Sequence, residues 1–140
     1  MSARPMAHFT QRFPVDAADI DELGHVNNTV YLRYAQEIAT AHWRARASAE
    51  MVAAYVWVVT RHEVDYRAAL VLGDMVEART HVADAAQGAV WVRYVDIYKQ
   101  GADKPAVQIK SSWCLLDAAT RKIRRVPGDI LARFAAQNEG

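Results

Sequence analysis

"NNTVYLRYAQEIATAHWRAR", Asn27 to Arg46, carries the helical periodicity on which the reading of the fold turns. From about Val30 to Arg46, Tyr31, Tyr34, Ala35, Ile38, Ala41 and His42 recur on one stripe, while Arg33, Gln36, Glu37, Thr40 and Arg44 fall largely off it. No proline or glycine interrupts the run, and Asn27 or Asn28 supplies an N-cap residue of a preferred type. A helix with one apolar stripe needs a partner surface.

The rest of the chain offers that surface as strands. His8 to Val15 alternates Phe9, Gln11 and Phe13 with Thr10 and Arg12 before the helix. After the helix and a connection over about Ala47 to Ala54, four strands are expected: Tyr55–Tyr66, Asp74–Asp84, Ala89–Gln100 and Ala106–Asp117. In the last of these, Val107, Ile109, Ser111, Trp113 and Leu115 share one face. Gly73-Asp74, Gln87-Gly88 and Gly101-Ala102-Asp103 mark turns between consecutive strands, which favours an antiparallel meander. A short helix from about Gly128 to Gln137 follows Pro127. The order predicts an α+β fold, one five-stranded sheet on one side of one long helix, over a single domain of residues 1–140. Its other sheet face is short of cover, which favours oligomerisation.

Composition narrows the classes of function. A formal net charge of +1 gives no global electrostatic attraction for nucleic acid. The single Cys114 excludes an internal disulfide and a cysteine-rich metal site, and none of the five histidines forms an H-E-x-x-H pair, so no metal is expected. Met1 to His8 lacks the apolar run of a secretory signal, so the cytoplasm is the expected compartment. The apolar stretch Met51 to Thr60 falls short of the about 20 residues a bilayer span needs. A soluble protein that does not enter membranes is expected.

The chemistry concentrates where the helix begins. Asp19-Ile20-Asp21-Glu22-Leu23-Gly24-His25-Val26-Asn27-Asn28 holds two aspartates separated by one residue, a turn-forming glycine, a histidine and two asparagines. A carboxylate, Asp19 or Asp21, facing the free amides of a helix N-terminus is what ester or thioester hydrolysis requires: a group to activate water or attack the carbonyl, and donors for the oxyanion. Capping would use only one of these residues.

This segment, continuing as Tyr31-Leu32-Arg33-Tyr34, resembles the signature of the hotdog-fold acyl-CoA thioesterases, especially the 4-hydroxybenzoyl-CoA thioesterase group. The resemblance implies a hotdog fold, a five-stranded antiparallel sheet wrapped around a long central helix with a short C-terminal helix. It also implies hydrolysis of an acyl-CoA to a free acid and CoA, with CoA as part of the substrate and no cofactor. By the same resemblance, Asp21 is the catalytic carboxylate, as nucleophile or general base, and a backbone amide near Asn28 is the oxyanion donor. Gly24 lets the backbone approach the thioester. His25 and Asn27 orient the reacting groups, and Tyr31 contacts substrate.

Arg61 and Arg67, or the run Thr120-Arg121-Lys122-Ile123-Arg124-Arg125, are candidates to hold CoA phosphates. Glu37 is the backup carboxylate, although a solvated or paired helix residue is the simpler reading. His42 reads as a packed, hydrogen-bonded histidine and Cys114 as a buried thiol. Trp43, Trp57, Trp91, Trp113, Tyr94 and Tyr98 are candidates for an acyl pocket as well as for core. The resemblance further implies a homodimer or homotetramer with active sites at subunit interfaces. The competing readings are an acyl carrier protein (ACP) thioesterase and a non-catalytic acyl-CoA-binding hotdog module.

Overall fold

The structure, a computed structural model, describes residues 6–135. Strand β1 (Phe9–Pro14) leads through a 3-10 turn (Ala17–Asp19) to helix α1 (Val30–Arg46) and the short α2 (Ala49–Ala54). Strands β2 (Tyr55–Tyr66), β3 (Met75–Val82), β4 (Val90–Lys99) and β5 (Val107–Asp117) follow, then α3 (Gly128–Phe134). The strands form one antiparallel sheet in the order β1-β3-β4-β5-β2, packed on α1: the hotdog arrangement.

Several expectations need correction. β3, β4 and β5 form a meander, but β2 pairs with β5 at the sheet edge and not with β3, so Gly73-Asp74 does not close a hairpin between β2 and β3. β3 instead receives β1, whose Phe9 to Pro14 register with Thr80 to Met75. The N-cap of α1 is Thr29, without a side-chain cap bond, because Asn27 uses its Oδ1 to accept from both the N–H (3.0 Å) and the hydroxyl (2.7 Å) of Thr29. On α1 the buried alanines are Ala35 and Ala39, while Ala41 is half-buried. The connection after α1 contains α2, started by Ser48, whose Oγ accepts from the Met51 amide at 3.1 Å. α3 ends at Phe134, and Gln137 lies outside the described residues.

The outer sheet face carries an ion cluster on β1 and β3. Glu77 is only 6% exposed because Arg12 (Nε–Oε1 2.8 Å) and Arg79 clamp its two carboxylate oxygens, and they hold its pKa below the usual range. Arg79 also lies over the Tyr98 ring at 4.2 Å.

The inner face is divided across its middle. Toward the start of α1, Ala78, Val95, Ile109 and Val64 pack with Tyr31, Tyr34 and Ile38. Toward its end, Val82, Trp91, Leu115 and Trp57 pack with Phe134 and Trp43. Between the two clusters four of the five strands each present one polar residue: Thr80 on β3, Arg93 on β4, Ser111 on β5 and His62 on β2. They bond along this belt, His62 Nδ1 to Ser111 Oγ at 2.6 Å and Arg93 Nη1 to Thr80 Oγ1 at 3.0 Å. From the helix, fully buried His42 accepts from Arg93 Nη1 on its Nδ1 at 2.8 Å. This fits the expected packed histidine, stacked on Phe9.

Burial and the neighbouring Arg93 push the His42 pKa down to about 3 from 6.5. Between those values the unfolded chain binds the extra proton, so stability falls as the pH drops below about 6.5. One such group contributes a slope of up to about 1.4 kcal/mol per pH unit. Urea unfolding at several pH values should show this slope in the wild type, and His42→Gln should flatten it by about that amount. An unchanged slope would refute the assignment.

Candidate active site

The two aspartates of the signature have separate geometries. Asp19 is structural: both its carboxylate oxygens accept from Arg33 of α1, at 2.9 and 2.5 Å, and its carbonyl accepts from the Asn27 amide at 2.9 Å. These bonds fix the loop to the helix, and Arg33 lowers the Asp19 pKa. Asp21 has no ion-pair partner among the described residues. Its Oδ1 accepts from the Leu23 amide at 2.9 Å, which orients the carboxylate. The loop closes through Asp21 N to His25 O (2.9 Å) and Gly24 N to Asp21 O (3.0 Å).

A second contact seats this loop on the sheet side. Val26, buried, donates its amide to Leu70 O at 2.8 Å, and Leu70 donates its own amide to the Tyr31 hydroxyl at 3.1 Å. Tyr31 is 1% exposed, and burial raises its pKa, so its hydroxyl stays protonated. The Tyr66 hydroxyl, from the end of β2, donates to Asn28 O at 3.1 Å. The result is a cleft of about 380 Å³ between the first turn of α1 and the segment after β2.

Six of the eight site residues read from the sequence line this cleft: Asp21, His25, Asn27, Asn28, Tyr31 and Arg67. Asn28 N–H has no acceptor among the described residues. Gly24 forms the turn beneath them at φ +80°, and nothing lies within 4 Å of where its Cβ would be. Its need is therefore a left-handed backbone, not close packing. Arg61 lies outside the cleft, in mid-β2, and pairs with Glu63 at 2.9 Å. Arg67 is tethered by Gln108, Nε to Oε1 at 2.8 Å.

Glu37 also lies outside the cleft; it is exposed and pairs with Arg33 at 3.4 Å, as the simpler reading expected. In the basic run, Arg124 pairs with Asp117 at 3.0 Å. Tyr66 and the Ala68-Ala69 wall were missed by sequence reading, because their role depends on the return of the chain from β2, and spacing alone does not place it. The missed Arg93 was legible: it occupies an inward register position between Trp91 and Val95.

Among the described residues no group of three His, Cys, Asp or Glu side chains is placed to hold a metal ion. Among the described residues no helix is long and apolar enough to cross a membrane.

The family model described as the acyl-ACP thioesterase N-terminal domain matches residues 6–134. No curated protein matches the sequence. Among solved structures, protein PA5185 of Pseudomonas aeruginosa superposes with a TM-score of 0.79 at 16% identity, over 97% of this chain and 99% of that one. Slr0204 of Synechocystis, a 1,4-dihydroxy-2-naphthoyl-CoA thioesterase, gives 0.77 at 16% identity over 91% and 96%. YbaW of Escherichia coli, a probable thioesterase, gives 0.76 at 19% identity over 91% and 98%. At these identities the structures establish a shared fold.

Because the Gly24 position is open but left-handed, Gly24→Ala should cost about 1–2 kcal/mol through backbone strain alone. Gly24→Asn, which tolerates that conformation better, should cost less. Equal stability of all three proteins in urea titration would contradict the stated φ.

Proposed function

Because the chain belongs to the acyl-ACP thioesterase N-terminal-domain family, we propose that it hydrolyses an acyl-CoA thioester to the free acid and CoA, with Asp21 as general base. The observation that carries this reading is the cleft in which the Asp21 carboxylate, held on one oxygen by the Leu23 amide, lines the same space as the first turn of α1.

Asp21 removes a proton from water, and the water oxygen attacks the thioester carbonyl. The developing oxyanion is held by the Asn28 amide, which immediately precedes the N-cap of α1 and is not used by the loop; one such donor contributes about 2.7–4 kcal/mol to transition-state stabilisation. The C–S bond then breaks with its electron pair going to sulfur, and Asp21 returns the proton to the thiolate. His25 and Asn27 orient the water and carbonyl, Gly24 gives the loop its turn, and Tyr31 supports the cleft wall. Arg67 contacts the phosphates of the carrier. No cofactor takes part.

The carrier has a second reading. The family match is to acyl-ACP thioesterases, and ACP and CoA present the acyl group on the same pantetheine arm, so acyl-ACP is the alternative substrate. Competition between the two carriers for one acyl group decides it. The remaining alternative is a non-catalytic acyl-CoA-binding module, which would bind the same esters without turnover.

The reading includes a cytoplasmic homodimer, or a homotetramer, built through β2. This 12-residue strand is a sheet edge with Val58 and Val59 exposed at 40% and 37%. Long unprotected edges pair with other strands. Antiparallel pairing of β2 with a second copy about Thr60 sets the Tyr66 end of one strand beside the Tyr55 end of the other. The Asp21 cleft of one copy then adjoins the other copy, and Arg61 lies at the centre of the interface.

Thiol release from acetyl-, hexanoyl-, palmitoyl-, benzoyl- and 4-hydroxybenzoyl-CoA should collapse by about 10²–10⁴-fold in Asp21→Asn. Full activity in the variant would remove Asp21 from the chemistry, and binding without turnover in the wild type would favour the binding module. Single-turnover hydrolysis in ¹⁸O-water should leave Asp21 unlabelled; label in its carboxylate would make it the nucleophile. Sedimentation at micromolar concentration should give a dimer or larger, and a monomer would overturn the interface site.

A further inference from the structure

A second cavity, of about 310 Å³, lies toward the other end of α1, where all four tryptophans of the chain, Trp43, Trp57, Trp91 and Trp113, contribute to its lining. Tyr31 marks the first cleft and Trp43 the second, roughly 18 Å apart along the helix. The exposed Thr40 and Arg44 also line it, and no Asp or Glu does.

Arg93 gives this cavity its chemistry. Its residue exposure is 7%, it lines the cavity, and it has no carboxylate partner among the described residues. Both hydrogens of Nη1 are engaged, toward His42 Nδ1 and Thr80 Oγ1. Nε and Nη2 have no acceptor among the described residues, and together they form the edge of a guanidinium that receives a carboxylate with two parallel bonds. A second donor, Trp113 Nε1, is buried on the same cavity wall without an acceptor. Buried donors in native proteins are normally satisfied, and a buried cation without an anion is costly.

We infer that this cavity binds a small apolar body bearing a carboxylate, with the body between the tryptophan rings and the carboxylate on the Nε–Nη2 edge of Arg93. The volume is at the small end of ligand pockets and suits a one- or two-ring acid or a short acyl chain. A lone carboxylate would lack the apolar contacts, and a neutral aromatic would leave the arginine unpaired. Two sources share this chemistry: a free carboxylic acid, and an acyl thioester whose far end carries a second carboxylate. The latter source alone rests on the hydrolytic reading above.

Tryptophan emission reports on this cavity directly, because every tryptophan lines it. Phenylacetate and phenylacetamide are titrated into Asp21→Asn, so that the result does not depend on turnover, with calorimetry as a second readout. The carboxylate should bind at least about tenfold tighter than the amide, and Arg93→Gln should erase that preference. Hexadecanedioyl-CoA and palmitoyl-CoA, whose chains are long enough to reach from the Asp21 cleft to Arg93, are compared in the same way. A preference for hexadecanedioyl-CoA that Arg93→Gln removes identifies the acyl source, and a preference confined to phenylacetate identifies the free acid. The amide comparison uses folded Arg93 protein throughout, so failure of Arg93→Gln to fold leaves it intact. Equal binding of acid and amide, no binding of any acid, or a preference that survives Arg93→Gln overturns the inference.

Discussion

Enclosure of one stripe of α1 by one face of one sheet is the constraint from which the rest of the structure follows. Ile38, with no exposed surface, sits at its centre, and burial of a side chain of this size is worth about 1.5–3 kcal/mol. The stripe sets the side of the sheet that must be apolar, and so the register of every strand. It also fixes where the two ends of α1 emerge, and each end opens on a cavity.

At the N-terminal end, helix and loop are joined by bonds that do not involve the Asp21 carboxylate. Arg33 holds Asp19, Asn27 holds Thr29, and Leu70 holds both Val26 and Tyr31. Asp21 is thus held in position by its neighbours while one carboxylate oxygen stays unengaged. The first aspartate of the signature carries the ion pair that fixes the loop, and the second lines the cleft without one, as the proposed general base requires. Positioning a catalytic group through a rigid surround is the general requirement for such sites.

The sequence made the elements legible and left their neighbours less so. α1 and β2 stand where hydrophobic period and valine content placed them, because both signals are local. The position of β2 at the edge was not legible, since pairing with β5 depends on how residues 67–74 return the chain. The cleft residues near α1 were readable because they are contiguous, whereas Tyr66 was not, because it arrives from another strand. The burial of Glu77 was not legible, because strand alternation gives direction but not the two arginines that cover it. Arg93 needed only the opposite observation, a charge at an inward position of an apolar strand.

The polar belt of His62, Ser111, Arg93, Thr80 and His42 has a consequence for how such a chain can change over generations. A close-packed interior tolerates the exchange of one apolar side chain for another of similar volume, whereas each member of a hydrogen-bonded seam needs a particular partner, and losing one leaves the other unsatisfied in the interior. The apolar clusters on either side of the seam can therefore change one residue at a time. The seam itself changes only by paired substitutions, which makes it the slowest part of this core to vary.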